Sequence, residues 1–268
     1  MNRIIHILAV ISLSCLFCQC SKKTGNVEEY SAEPPEGELI IIEGCCFPDV
    51  VDAYDYPVKN GSEEWKTMTA DKKDNACQLP DDVLKKTSTL GLIRSFLDIP
   101  NSFVLIVLNS SDASPYRNYN RLFYSWYNSA QELLTRKDAV KSLIDFYSAT
   151  TFDCLESLSE EGELFSEVAE FYIRLKALEF MFASPEILDR LVQKDKVEIV
   201  KLLLDMYKQK KNMGIANYSV LSVMIWIMYD DMLSSFSQSS LDSIKHGEII
   251  DYLVDSIIAF AESFINKN

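Results

Sequence analysis

The sequence predicts an all-α protein, built either as a helical repeat of the HEAT/armadillo kind or as an irregular helical bundle, with a short, mostly irregular N-terminal segment. Three observations favour this class. From Pro80 onward, apolar residues recur at three- and four-residue spacing, which places them on one face of a helix. Hydrophobic residues make up 48% of the chain, which supports a real core. The pattern V-K-x-L-[IL]-D-[FM]-Y begins at Val140 and again at Val200. A repeat of that length holds more than one helix, so it favours stacked helical hairpins over a closed bundle.

Four segments follow one another along the chain. They are a lipoprotein signal peptide with its lipidation site (1–20), a flexible polar tether (21–38), an irregular segment packed on the body (39–78) and a helical domain (79–268). In the third segment, the apolar run from Leu39 to Ile42 suits a strand or a segment packed on the body. Such a short run cannot support a sheet alone.

The helical domain begins with a well-marked helix. Ser88 and Thr89 can cap a helix through Leu97, and Pro100 ends it. The run from Phe103 to Leu108 is ambiguous between a strand and a buried helix on periodicity alone. Further helices are predicted at 116–134, 137–148, 163–183, 185–193, 195–210, 217–236 and 248–266. The predicted helix at 217–236 contains an almost continuous apolar run, which predicts that this helix is buried on nearly all sides.

The N-terminus is typical of an export signal. Arg3 precedes an apolar run from Ile4 to Leu13, which is too short for the ~20 residues that span a bilayer. Cys15 follows a small residue and is the preferred lipidation site, with Cys20 as the alternative. A lipid there would anchor the chain to a membrane of the bacterial cell envelope, for which we expect the outer membrane. Whether the body faces the periplasm or the cell surface stays open.

Composition excludes several classes of function. The formal net charge of −14 repels phosphate backbones, so no nucleic-acid partner is predicted. The chain has two histidines, His6 in the signal and His246, which argues against a multi-histidine metal site. It contains neither G-x-G-x-x-G nor a P-loop, so nucleotide binding has no local support. We therefore predict no cofactor, no metal and no enzyme activity.

Four cysteines follow the signal region. Cys77 bonded to Cys45 or Cys46 would join the N-terminal segment to the helical part, and the alternative is buried free thiols. Together with Cys154, these residues lack C-x-x-C spacing, so neither a zinc site nor a redox dithiol is indicated.

Two groups of side chains are candidate sites. The aromatic stretch from Tyr116 to Tyr127 places most of its rings on one helical stripe, which is typical of core packing. Arg121 and Tyr124 fall off that stripe and form the candidate binding surface. A second group, spaced by three residues, offers carboxylate ligands for calcium but lacks the EF-hand pattern and its glycine. Its members are Asp49, Asp52 and Asp55.

Several short segments between residues 54 and 148 carry a resemblance to a known family. They are Tyr56-Pro57, Trp65-Lys66, Cys77 to Leu84, Ser88 to Ile93, and Asn128 through Gln131 to Ala139. Together they resemble an uncharacterised family of exported proteins and lipoproteins from gut anaerobes. After the second helix this chain has Ile99-Pro100-Asn101-Ser102 where the family usually reads Tyr-Pro-Leu-Leu. The resemblance implies export and a helical body, without an established activity or catalytic residues.

Three functions compete at this stage. The first is a non-enzymatic, membrane-anchored helical scaffold that binds an envelope protein or a peptide. The second is a surface glycan-binding or adhesin-like lipoprotein, since aromatic faces can stack on sugar rings. The third is a hydrolase of the glycoside type that uses a pair of carboxylates. The missing histidines and glycine loops count against the enzyme, so the scaffold is the preferred prediction.

Overall fold

The computed structural model describes residues 35–42, 46–100, 126–152, 155, 164–213, 218–233, 235–237, 239–240 and 251–268. Residues 34–268 form one compact unit. Several sequence predictions lie outside the described residues. These are the signal peptide with Cys15 and Cys20, most of the tether, the run 103–108, and the residues Cys45, Arg121, Tyr124, Cys154 and His246.

The described part of the chain is mostly helical, with one two-stranded sheet. The strands are β1 (Leu39–Ile40) and β2 (Asp49–Val50). The helices are α1 (Glu63–Thr67), α2 (Ala70–Ala76), α3 (Asp81–Lys86), α4 (Thr89–Leu97), α5 (Asn128–Thr135), α6 (Ala139–Ser148), α7 (Leu164–Met181), α8 (Pro185–Leu188), α9 (Gln193–Asn212), α10 (Tyr218–Met232) and α11 (Asp251–Lys267).

The helices stack as two rows of hairpins. In one row α4 contacts α6, α6 contacts α9 and α9 contacts α11. In the other row α7 contacts α10. The two rows contact each other within each hairpin, as α4 packs on α5 and α9 packs on α10. When the short helix α8 is left out, each row joins helices that are next but one along the chain, which is how stacked helical repeats build a continuous core. The all-α prediction is confirmed.

The sequence echo lies in two adjacent helices of the first row. Its copies fall in α6 and α9, which contact each other. Lys141 and Lys201, at matching positions, are both exposed. In one pair of matching apolar positions Val200 is buried and Val140 is partly buried. The other four pairs are buried in both copies, so the two copies use the same face for the core. These pairs are Leu143 and Leu203, Ile144 and Leu204, Phe146 and Met206, and Tyr147 and Tyr207.

The segment that carries β2 is fastened to the helical body. The ring centroid of Phe47 lies 5.1 Å from that of Phe171 in α7. The carboxylate of Asp52 accepts hydrogen bonds from the backbone N–H of Ser88 (2.5 Å) and from its hydroxyl (2.7 Å). Farther along, the N–H of Tyr54 donates to the hydroxyl of Ser95 in α4 (2.7 Å). The N-terminus of α4 is therefore the main attachment point.

Gly91 makes room for that attachment. A Cβ at this position would lie 2.5 Å from Oδ1 of Asp52 and 2.7 Å from Cγ2 of Thr87. Such distances are far inside van der Waals contact, so a side chain here would displace the Asp52 carboxylate. The glycine, which is costly inside a helix, is explained by this close approach.

One predicted helix is interrupted. The sequence predicts a continuous helix over 116–134, whereas α5 begins at Asn128 and Tyr127 has an extended backbone (φ −113°, ψ 119°). The side chain of Asn128 accepts a bond from the N–H of Leu79 (2.9 Å) and donates to its carbonyl (2.7 Å). Its own N–H donates to the side chain of Gln78. These contacts across the fold compete with helix continuation.

Four further helices can be compared with the sequence prediction. No helix is predicted at α1 or α2, although Ser62 caps α1 by accepting a hydrogen bond from the N–H of Trp65. Pro185 begins α8 as predicted, but α8 ends at Leu188 rather than at 193. The prediction that α10 is buried on nearly all sides is confirmed by its buried residues Val220, Leu221, Val223, Met224, Ile225, Ile227, Met228 and Met232.

The cysteine pairing that the sequence predicted is wrong. Cys77 is a thiol with none of its surface exposed, and Cys46 is disulfide-bonded. Cys77 is the C-cap of α2 and lies next to Tyr56 and Tyr127. Because it is buried and not in a disulfide, the alternative of a buried thiol holds for this residue.

Candidate interaction surface

The outer face of the two-stranded sheet carries exposed apolar side chains. β1 pairs with β2 in antiparallel register, with Leu39 opposite Val50 and Ile40 opposite Asp49. Because side chains alternate along a strand and paired residues share a face, Leu39 and Val50 face the body. Ile40 and Val51 therefore share the opposite face, and Ile42 follows β1 two residues later.

These residues are unusually exposed for their type. Ile40 is 40% exposed, Ile42 43% and Val51 66%, while Ile41 at the end of the strand is 66% exposed. We call this set of four residues the isoleucine edge. Exposed apolar edges of sheets are ready templates for association, and proteins usually protect them with lysine, proline or a covering element.

The backbone of β1 also offers hydrogen-bonding groups. The N–H of Val51 donates to the carbonyl of Glu38 (3.4 Å), so the polar groups of Glu38 point toward β2. In an antiparallel pair these directions alternate, and the groups of Leu39 and Ile41 therefore point away from β2. Within the described residues they form no backbone hydrogen bond. Among the residues that the structure describes, this side of β1 therefore has exposed apolar side chains and polar backbone groups without a backbone partner.

The isoleucine edge has acidic neighbours. Glu36 and Glu38 precede it and are exposed, and Asp49 lies on the outer face opposite Ile40. Arg94 of α4, which donates to the carbonyl of Pro48 next to β2 (3.4 Å), also donates to Asp98 (2.8 Å). An apolar surface with an acidic rim results.

A second candidate is a polar cluster in the core, centred on Glu179 of α7. Its Oε1 accepts from Lys210 Nζ (2.5 Å) and Tyr147 Oη (3.1 Å), and its Oε2 accepts from Ser219 Oγ (2.5 Å). These partners come from α6, α9 and α10, so the cluster joins both rows of helices. Glu179 is completely buried, Lys210 is 3% exposed and Tyr147 1%.

The protonation states of this cluster follow from burial. Burial raises the pKa of the Tyr147 phenol well above its usual value, and the neighbouring Glu179 raises it further, so Tyr147 remains a donor. Burial lowers the pKa of the nearby Lys176 amine, against the attraction of Glu179. Both carboxylate oxygens of Glu179 are already satisfied by protein donors. A buried and satisfied group of this kind supports the packing and does not reach a ligand from solvent.

The three aspartates considered for calcium do not converge. Asp49 accepts from the N–H of Val50, Asp52 from Ser88, and Asp55 forms an exposed pair with Lys59. Among the described residues, no group of His, Cys, Asp and Glu is arranged to hold a metal ion.

The aromatic stripe is only partly described. Tyr127 is buried, as core packing requires, but Trp126 is 52% exposed, in contrast to its predicted place on the buried stripe. The break in the helix at Tyr127 changes the direction of the neighbouring side chain. The predicted binding residues Arg121 and Tyr124 lie outside the described residues.

Sequence reasoning missed the two features that the structure brings forward. The run from Leu39 to Ile42 was expected to be a strand or a packed segment, and only Leu39 packs on the core. Flanking Glu36 and Glu38 were the one sign of exposure. Glu179, a single acid within the apolar stretch around Phe180, was the corresponding sign of a buried charge.

Across the described residues, no helix combines the length and apolarity needed to cross a membrane. No protein-family model matches the chain, and no characterised protein or solved structure is significantly similar to it.

Proposed function

We propose that this protein is a lipid-anchored, non-enzymatic interaction module of the bacterial cell envelope. In this proposal the lipid on Cys15, or alternatively Cys20, holds the chain at the membrane, and the stacked helices form a rigid body. The isoleucine edge is the binding surface for a protein or peptide partner. Its exposed apolar side chains, on a strand fastened to a rigid body, are the single observation that carries the proposal.

The arrangement of the edge supports this function physically. Four large apolar side chains in water cost free energy unless another surface covers them for part of the time. β2 is attached to α4 through Asp52, so the edge has a defined position relative to the body. A preorganised surface loses less entropy on binding than a flexible one.

The binding proposal is tested by photocrosslinking in intact cells. Val51→benzoylphenylalanine places the probe on the isoleucine edge, and Lys141→benzoylphenylalanine places it on α6, where the lysine side chain is 78% exposed. We expect one discrete adduct from position 51 that position 141 does not give, because only the first touches the binding surface.

The adduct must also depend on the apolar face. Adding Ile40→Asp and Ile42→Asp to the position 51 probe is expected to remove it, and a probe placed on the identified partner should label this chain in return. Equal adducts from positions 51 and 141, or an adduct that survives both aspartates, would contradict the proposal.

The anchor is tested by metabolic labelling with an alkyne fatty acid. We expect Cys15→Ser to abolish the label and to release the protein from the membrane fraction, since a signal without its lipidated cysteine leaves no acyl chain. Cys20→Ser is the matched variant and should keep the label. Loss of label with Cys20→Ser and not with Cys15→Ser would assign the lipid to Cys20 instead, and label in both single variants would refute both assignments.

A further inference from the structure

We propose that the isoleucine edge binds its partner by β-augmentation, taking up an extended segment that alternates apolar and basic residues. This inference rests on the proposed function and specifies the binding mode and the chemistry of the partner. The added segment would lie against the open side of β1, with its apolar side chains next to Ile40 and Ile42.

The backbone of β1 is arranged for an added strand. The N–H and C=O groups of Leu39 and Ile41 point away from β2, and the sheet of the described residues ends at β1. A strand that pairs with these groups completes the hydrogen bonds of a sheet edge, which gives affinity without reading a sequence. Alternate side chains then supply the specificity.

The side chains of the edge define that specificity. On the outer face, Ile40 and Val51 are apolar, and the exposed Ile42 follows two residues after Ile40. Glu38 and Asp49 lie on the same face as Ile40. Opposite charges at neighbouring positions of a sheet stabilise pairing, and like charges directly opposite destabilise it. A partner strand with lysine or arginine between apolar residues matches both features.

A second copy of this chain fits the edge less well. Pairing two β1 strands would bring Glu36 and Glu38 of both copies to the same sheet edge, in chains that each carry a formal net charge of −14. Like charges brought together in this way disfavour the pair. The same acidic rim disfavours an anionic lipid surface.

The test uses the full-length chain in detergent and fluorescein-labelled heptapeptides in a polarisation assay. The probe peptide alternates valine with lysine. One control peptide alternates valine with glutamate, and another alternates serine with lysine and so has the same positive charge. We expect the valine–lysine peptide to bind at least about tenfold tighter than either control.

The hydrogen-bonding mode is tested on both partners. N-methylation of every second residue removes the backbone N–H donors along one edge of the extended peptide. N-methylation of the intervening residues removes the donors along its other edge. We expect one register to abolish binding and the other to keep it. Ile41→Pro removes the outward donor of β1 and should weaken binding about tenfold or more, while Ile41→Val, which is similar in size, stays within about twofold.

Folding is controlled independently, because the N–H of Ile41 does not pair with β2 and its loss should leave the melting temperature unchanged. Three results would each overturn the inference. They are equal affinity of the two methylated peptides, equal affinity of the serine–lysine and valine–lysine peptides, and unchanged affinity in Ile41→Pro. Concentration-dependent dimerisation of the free chain that Ile41→Pro abolishes would assign the edge to a second copy and also overturn it. If the peptides fail while the adduct at position 51 persists, the binding mode falls and the proposed function stands; loss of both removes the function as well.

Discussion

Replacing Glu179 with alanine is expected to lower the free energy of unfolding by about 3–5 kcal/mol. The carboxylate accepts hydrogen bonds from Lys210, Tyr147 and Ser219, and all three donors are buried. Removing it leaves a buried ammonium without its counter-charge. Urea denaturation followed by circular dichroism measures the change, and the midpoint should fall with little change in the slope.

A matched surface variant separates the effect of burial from that of charge. Glu262 pairs with Lys208 at 3.4 Å, but both side chains are about half exposed, at 50% and 53%. Glu262→Ala should therefore cost less than about 1 kcal/mol. If the two alanine variants lose the same stability, Glu179 is not the buried anchor that the structure indicates.

The double variant Glu179→Leu with Lys210→Met tests the origin of the loss. Replacing both members of a buried pair with apolar residues removes the unpaired charge, and such replacements are often neutral or stabilising. We expect the double variant to recover most of the stability that Glu179→Ala loses. A double variant as unstable as the single one would show that packing around Glu179 dominates, and not its charge.

The second large effect is expected at Asp52, which fastens the segment of β2 to α4. Asp52→Ala should cost about 2–3 kcal/mol, because charge-assisted hydrogen bonds to two donors of Ser88 are lost. Ser88 is completely buried, so water does not replace the missing acceptor. Limited proteolysis should at the same time cut earlier near Val51, since the outer face loses its attachment.

Two neighbouring variants calibrate this result. Asp52→Asn keeps one acceptor oxygen and should lose about half as much stability, or about 1 kcal/mol. Asp55→Ala removes a carboxylate whose side chain is 89% exposed and should change the stability by less than about 0.5 kcal/mol. Equal proteolysis rates for Asp52→Ala and Asp55→Ala would contradict the attachment.

Asp52 also illustrates how a sequence pattern can be explained differently by the fold. Its three-residue spacing from Asp49 and Asp55 made these residues a candidate calcium site. In the structure each carboxylate bonds to a different group of the protein. Ser88 was predicted as a helix cap, and its hydroxyl does accept from the N–H of Gly91 (2.9 Å). The cap is a local feature, whereas the aspartate that holds it is distant in sequence.

The break at Tyr127 has the same origin. Apolar spacing alone favours one helix through 116–134, because periodicity reports only on neighbours along the chain. The bonds of Asn128 with Leu79 and Gln78 join residues 49 and 50 positions apart. No local pattern contains that information, so the helix boundary could not be predicted from the sequence.

The candidate surface was accessible to sequence reasoning only in part. The apolar run at Leu39 to Ile42 was found and a strand was one of its two interpretations. Its pairing with Asp49 and Val50, and the exposure of three of its four residues, depend on where the helical body ends. The exposure of a side chain depends on whether other parts of the fold cover it. A run of isoleucines does not encode that information.

The sequence by itself determined the helical class, most helix positions, the cap of α4 and the buried helix α10, because these follow from interactions within a few residues. It also indicated the repeat, whose copies fall on adjacent helices. Only the tertiary structure decided that Glu179 meets Lys210 and Ser219, that Asp52 holds Ser88, and that the isoleucine edge is exposed. These depend on contacts between residues 31 to 40 positions apart, or on their absence, and such contacts exist only once the core has packed.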